Sequence, residues 1–137
     1  MSYDLLRISQ DYEDAWNSHD WNKVAPFFTD DAVYEAWASG ARYQGKEALK
    51  AYFEGTVAWS SDFKIQMHHN ISSGEWLAGE WTMSGTHTGD VPGMKATGKQ
   101  YSIQGASIME FRDGKLRRHA DYWSLLTFMQ QVGLMPG

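Results

Sequence analysis

Cysteine is absent from this chain, proline occurs three times, and no stretch approaches the roughly 18 uncharged apolar residues of a membrane span. Without cysteine there is no disulfide scaffold and no thiolate zinc or iron–sulfur centre. Met1-Ser2-Tyr3-Asp4 has neither the basic flank nor the apolar run of a secretory leader, so no membrane association and a cytoplasmic location are expected. Positive charge is also scarce. Residues 1–61 carry ten acids against five bases and the remainder seven of each, which places the whole net charge of −5 in the first half. That balance disfavours a protein that tracks phosphates, and no nucleic-acid partner is expected. The one basic group, Arg112, Lys115, Arg117 and Arg118, reads as a solvated hairpin turn. Gly-rich phosphate loops and nucleophile elbows are missing, as are repeats, linkers and low-complexity tracts.

What remains is 137 residues with a 42% apolar complement, read as one domain over 1–137. A compact chain of this size buries roughly 68% of its unfolded surface and needs no staple. Aromatic residues are in surplus: seven Trp, seven Tyr and six Phe make up 15% of the chain. Such residues line apolar ligand pockets or subunit interfaces.

Periodicity divides the chain in two. Ser2 is placed to cap a helix carrying Leu5, Ile8, Tyr12, Ala15 and Trp16, ending near His19. Asp20 caps a short second turn through Trp21, Val24, Phe27 and Phe28, with Pro26 inside it. Residues 32–37 read as a strand, followed by a loop that Gly45 ends and a third helix with Ala48, Leu49, Tyr52 and Phe53 on one side. From Asp62 the period becomes two, predicting strands over about 62–71, 75–88, 100–111 and 115–123. Arg112-Asp113-Gly114 marks a hairpin. Ser124 caps a last helix with Leu125, Phe128, Met129 and Val132 on its apolar stripe, Gly133 at its end and Pro136 beyond. Helices first and a long meander afterwards imply an α+β fold, three to four helices packed on one face of a strongly curved sheet, with a pocket inside the cone.

The strand 115–123 carries the mixed chemistry. Strict alternation puts Arg117, His119, Asp121 and Trp123 on one face. Desolvation among aromatic walls would raise the pKa of Asp121 towards the range useful for moving protons, with His119 orienting it or sharing its proton. The neighbours of Asp121 depend on the hairpin: a three-residue loop sets Gly105 opposite Asp121 and Ser107 opposite His119, whereas a two-residue turn sets Ala106 and Ile108 there. Trp16, Tyr34, Trp37, Tyr52 and Trp59 are candidates for the cavity wall, as are Trp81, Met83, His87 and Trp123, with Gly105 and Ser107 beside the carboxylate. His68 and His69, adjacent in a strand, should point to opposite faces. With no HxH or HExxH spacing, no metal site is expected.

Thr88-Gly89, Pro92-Gly93-Met94, Thr97-Gly98-Lys99, Gly105, Phe111, Asp113-Gly114-Lys115, His119, Asp121 and Gln131-Val132-Gly133 together resemble the SnoaL-like polyketide cyclases of the nuclear transport factor 2 superfamily. The resemblance implies the cone fold, a homodimer paired through the outer sheet face, and a hydrophobic small-molecule substrate handled without cofactor or metal. It implies that Asp121 serves as general acid and base for an aldol ring closure. Two positions depart from the pattern. Ser107 stands where cyclases can carry a histidine, and Ser124 where the last helix often begins with an acid. Two alternatives stand beside the cyclase: a non-catalytic binding module of the same fold, and a dehydratase or isomerase using an Asp-His pair.

Overall fold

The computed structural model describes residues 3–90 and 93–137. Four helices pack against one curved six-stranded mixed sheet that does not close into a barrel, as the α+β expectation requires. Helix α1 spans Leu5–Asn17 and α2 Trp21–Val24. Asp4, not Ser2, caps α1 through the Arg7 N–H at 3.1 Å; the expected cap Ser2 lies outside the described residues. Asp20 caps α2 through Asn22, and Pro26 sits in the single 3-10 turn Ala25–Phe27 that follows. Strand β1 runs over Phe28–Ala36, starting four residues earlier than expected. Strand β2, Ala41–Gln44, occupies what periodicity left as a loop. Four residues are too few to display a period of two. Helix α3 covers Lys46–Trp59, and strands β3 (Lys64–Ser73), β4 (Trp76–Thr86), β5 (Gln100–Arg112) and β6 (Lys115–Trp123) form the meander. Helix α4, Leu125–Gln131, closes the chain with Ser124 as its cap.

The strand order is β2-β1-β6-β5-β4-β3, with β1 and β6 parallel and the other neighbours antiparallel. The parallel pairing is what brings the first half of the chain to the strand of His119 and Asp121: Tyr34 lies opposite His119 and Ala36 opposite Asp121. Helix α1 crosses the edge strand β3 and covers its free backbone groups. Asn17 donates to Ile65 O and accepts from Ile65 N, both at 2.7 Å, and Glu13 accepts from the Met67 N–H. An edge satisfied in this way does not template pairing with another chain.

The core lies between the helices and the concave sheet face. Tyr12 and Trp16 from α1, Phe53 from α3, Phe63, and Phe111 and Leu116 from the hairpin are all buried there. The three arginines of the hairpin are paired on the opposite face: Arg117 meets Glu110 at 2.6 Å, Arg118 meets Glu35 at 2.6 Å, and Arg112 meets Asp31 at 2.8 Å.

Candidate active site

The hairpin between β5 and β6 follows neither register expected from its turn. Arg112 pairs with Lys115 across a two-residue turn in which Asp113 and Gly114 both have positive φ, 52° and 78°, the mark of a type I′ hairpin. One residue of β6, Arg117, is then bulged out, since Phe111 pairs with Leu116 but Glu110 pairs with Arg118. Beyond the bulge Met109 faces His119 and Ser107 faces Asp121. The bulge also corrects the face assignment: Leu116 joins His119, Asp121 and Trp123 inside, and Arg117 turns outward to Glu110.

Asp121 stands at the wall of a cavity of about 220 Å³ and is itself 8% exposed. Its Oδ1 accepts from the Ser107 hydroxyl at 2.5 Å and from His119 Nε2 at 2.6 Å, while Oδ2 accepts from the Tyr34 hydroxyl. On the far side of the ring, His119 Nδ1 is held by the Tyr12 hydroxyl at 2.8 Å. Trp81 Nε1 donates in turn to Ser107 Oγ at 2.8 Å, leaving the serine proton to point at Asp121. The six side chains form one connected polar network in a predominantly apolar wall.

Electrostatics reverse the expected direction of the Asp121 pKa. Burial pushes the carboxyl up, but the attraction of His119 and the hydrogen bonds from His119, Ser107 and Tyr34 outweigh it and hold Asp121 below the usual carboxylate range. It is a carboxylate at neutral pH. Tyr34 and Tyr12 move the other way, raised by burial and then by the negative charge of Asp121, so both hydroxyls stay protonated.

Most of the predicted wall is present. Trp16, Tyr34, Tyr52, Trp59, Trp81, Met83, Ser107 and Trp123 line the cavity together with His119 and Asp121. Three expected wall residues are elsewhere. Trp37 lies just past the end of β1, 51% exposed and stacked on Tyr122. His87 is buried behind Trp59 and Phe128, where its Nδ1 accepts from the Thr97 N–H at 3.3 Å. Gly105 contributes space rather than surface, because a Cβ there would fall inside the indole of Trp81. Only a glycine lets that ring cross β5 and reach Ser107.

The fold agrees with what the chain is similar to. The SnoaL-like polyketide cyclase family matches residues 6–132. The chain belongs to that family. The aklanonic acid methyl ester cyclase DauD of Streptomyces sp. strain C5 is 26% identical over 126 residues, covering 88% of this chain and 76% of that protein. A SnoaL-like protein from Jannaschia sp. CCS1 superimposes with a TM-score of 0.86 at 12% identity, over 96% of this chain and 93% of that one. AclR from Streptomyces galilaeus gives 0.83 at 20% identity, over 97% and 87%. These neighbours share the cone fold of the nuclear transport factor 2 superfamily.

Sequence reasoning missed several residues of this SnoaL-like site. Tyr12 was legible only as part of the apolar stripe of α1, yet its hydroxyl holds the outer nitrogen of His119. Glu13, one position on, also borders the cavity and is spent on the Met67 backbone and on Gln10. Met67, Met94 and Met109 add adaptable apolar wall. Trp16 Nε1 is buried without a hydrogen-bond partner, a donor that a ligand oxygen in the cavity would satisfy.

Proposed function

We propose that this SnoaL-like protein closes a ring in an apolar polyketide by a cofactor-independent aldol reaction, with Asp121 as the base. The observation that supports it is a buried carboxylate, held ionised, at the wall of an apolar cavity with one lone pair to spare. Two donors saturate Oδ1, but Oδ2 has a single partner. Oδ2 therefore takes the substrate proton. The resulting enolate carbon attacks a second carbonyl of the same molecule, a carbon–carbon bond forms, and the proton on Oδ2 passes to the new alkoxide. His119 positions the carboxylate and stabilises its charge, and the Trp16 N–H suits the enolate oxygen.

A carboxylate held below its ordinary range is a weak base, so the carbon acid must be activated by two carbonyl groups, as in a β-keto ester. The relative's substrate, aklanonic acid methyl ester, is the natural first compound to test. In D₂O the wild-type chain is expected to convert it and, with poorer analogues, to exchange deuterium into the activated carbon. Asp121→Asn should bind the ester without doing either. Equal exchange by the two proteins would remove Asp121 from the chemistry.

The same reading includes a homodimer. Trp37, Trp76, Ile108 and Tyr122 are exposed, and the last three lie on the convex sheet face. Light scattering at micromolar concentration should give twice the 15.6 kDa chain mass. A mass of one chain would overturn it.

A further inference from the structure

We propose that His68, His69 and Glu80 form a binding site for a zinc-like divalent cation on the convex face of the sheet, separate from the cavity. Consecutive residues of a regular strand point to opposite faces, and the sequence therefore separates the two histidines. The structure corrects this. His68 pairs with Glu80 and Ile71 with Ala78, so His69 and Asn70 together oppose the single residue Gly79. His69 takes the extra step in the left-handed region, with φ 57°. Gly79 makes the bulge possible, because the Asn70 side chain fills the space its Cβ would need. Asn70 goes inward, and both imidazoles come out on the side of Glu80.

Three ligand atoms converge there. His69 Nδ1 lies 3.2 Å from His68 Nδ1 and 3.1 Å from Glu80 Oε1, and all three are within 4.8 Å of one another. A tetrahedral zinc with bonds of about 2.0–2.1 Å separates its ligand atoms by about 3.3 Å. Two of the three edges are close to that length before any ion arrives.

The proton inventory points the same way. Thr82 donates its hydroxyl to Gln104 Oε1 at 3.0 Å, so at 3.3 Å from His68 Nε2 it accepts the ring proton. That leaves the His68 Nδ1 lone pair aimed into the cluster. His69 Nδ1 then faces two acceptors with one proton. A cation that displaces this proton satisfies all three atoms at once, and the Thr82 contact is the kind of outer hydrogen bond that orients a metal-bound imidazole. Two nitrogens and one carboxylate suit zinc, nickel or copper rather than magnesium or calcium. The His69 and Glu80 side chains are 77% and 64% exposed in the single chain, which itself leaves the fourth position unfilled. Since β3 is an edge strand, a bound ion would clamp it to β4.

The test is calorimetric titration of the untagged, chelator-treated full chain with Zn²⁺ and separately with Mg²⁺. One equivalent of zinc per chain should bind at micromolar metal, with no magnesium response. Glu80→Gln and His69→Asn should each weaken zinc about tenfold or more. Asparagine tolerates the left-handed backbone at position 69, so an unchanged circular dichroism spectrum is expected with the loss. Co²⁺ should broaden amide signals around positions 68, 69 and 80 of the folded chain. Absence of saturable zinc binding, or binding that both variants retain in full, overturns the proposal.

Discussion

Ser107 lies directly opposite Asp121 across β5 and β6 and donates its hydroxyl to Oδ1 at 2.5 Å. The pairing exists because one residue of β6 is bulged at Arg117. Without that extra residue a two-residue turn would set Ala106 there, and the Ser107 hydroxyl would lie on the opposite face from Asp121. The serine is also anchored from behind by Trp81, whose ring has room only because position 105 is glycine. Four residues of three strands thus place one of the donors that hold Asp121 ionised.

Replacing Ser107 by Ala removes a donor to the ionised form of Asp121, so its pKa should rise towards the ordinary value of about 3.9. The acid limb of the pH–rate profile should shift upward in parallel. Trp81 Nε1 loses its acceptor, and the variant should lose about 1–3 kcal/mol of stability by urea unfolding. An unchanged acid limb would mean that Ser107 does not touch the charged form.

Asp121→Asn should lower turnover by roughly 10²- to 10⁴-fold, the usual contribution of a positioned acid or base. It should also flatten the acid side of the stability curve. The folded pKa of Asp121 lies below its unfolded value, so its contribution is present above about pH 3.9 and is lost as pH falls through the folded pKa. Urea midpoints of the two proteins between neutral and strongly acidic pH check this directly.

At Gly105 the added methyl of Ala meets the Trp81 ring. Overpacking of this kind costs about 1–3 kcal/mol, and Trp81 must leave Ser107 to relieve it. Gly105→Ala should therefore alter tryptophan fluorescence and weaken ligand binding. Combining it with Trp81→Leu should cost less than the sum of the single changes, which a double-mutant cycle measures.

Tyr12→Phe leaves the Asp121 contacts in place but strips His119 Nδ1 of its hydrogen-bond partner. The expected result is lower kcat with little change in KM and an intact fold. Equal losses in kcat and in thermal stability would reduce Tyr12 to a packing residue.

Burial lowers the His87 pKa, with the charge of Asp90 opposing only part of the shift. A base held neutral in the folded state stabilises above its unfolded pKa of about 6.5, and that contribution is lost as pH falls towards the folded value. Thermal midpoints should drop between pH 7.5 and pH 5.5 more in wild type than in His87→Phe. Equal drops would assign the acid sensitivity to other groups.

Much of this protein is local enough to be read from the chain alone. Period-two stretches fixed four strands, Asp113-Gly114 marked the hairpin, Ser124 and Gly133 bounded the last helix, and the alternation of β6 put His119 and Asp121 on one face. These follow from side-chain sterics and hydrogen bonds a few residues apart. What depends on distant partners was not legible. The bulges at Arg117 and His69 are set by pairing with the neighbouring strand, and each turns side chains to the other face, moving Leu116 inward and uniting His68 with His69. Tyr12 and Tyr34 reach His119 and Asp121 only because α1 crosses the sheet and β1 runs parallel to β6. Composition alone suggested a raised Asp121 pKa, since it shows the apolar surroundings but not the donors. The tertiary structure reversed the sign, because three hydrogen bonds and the charge of His119 reach the carboxylate within the volume that burial dries.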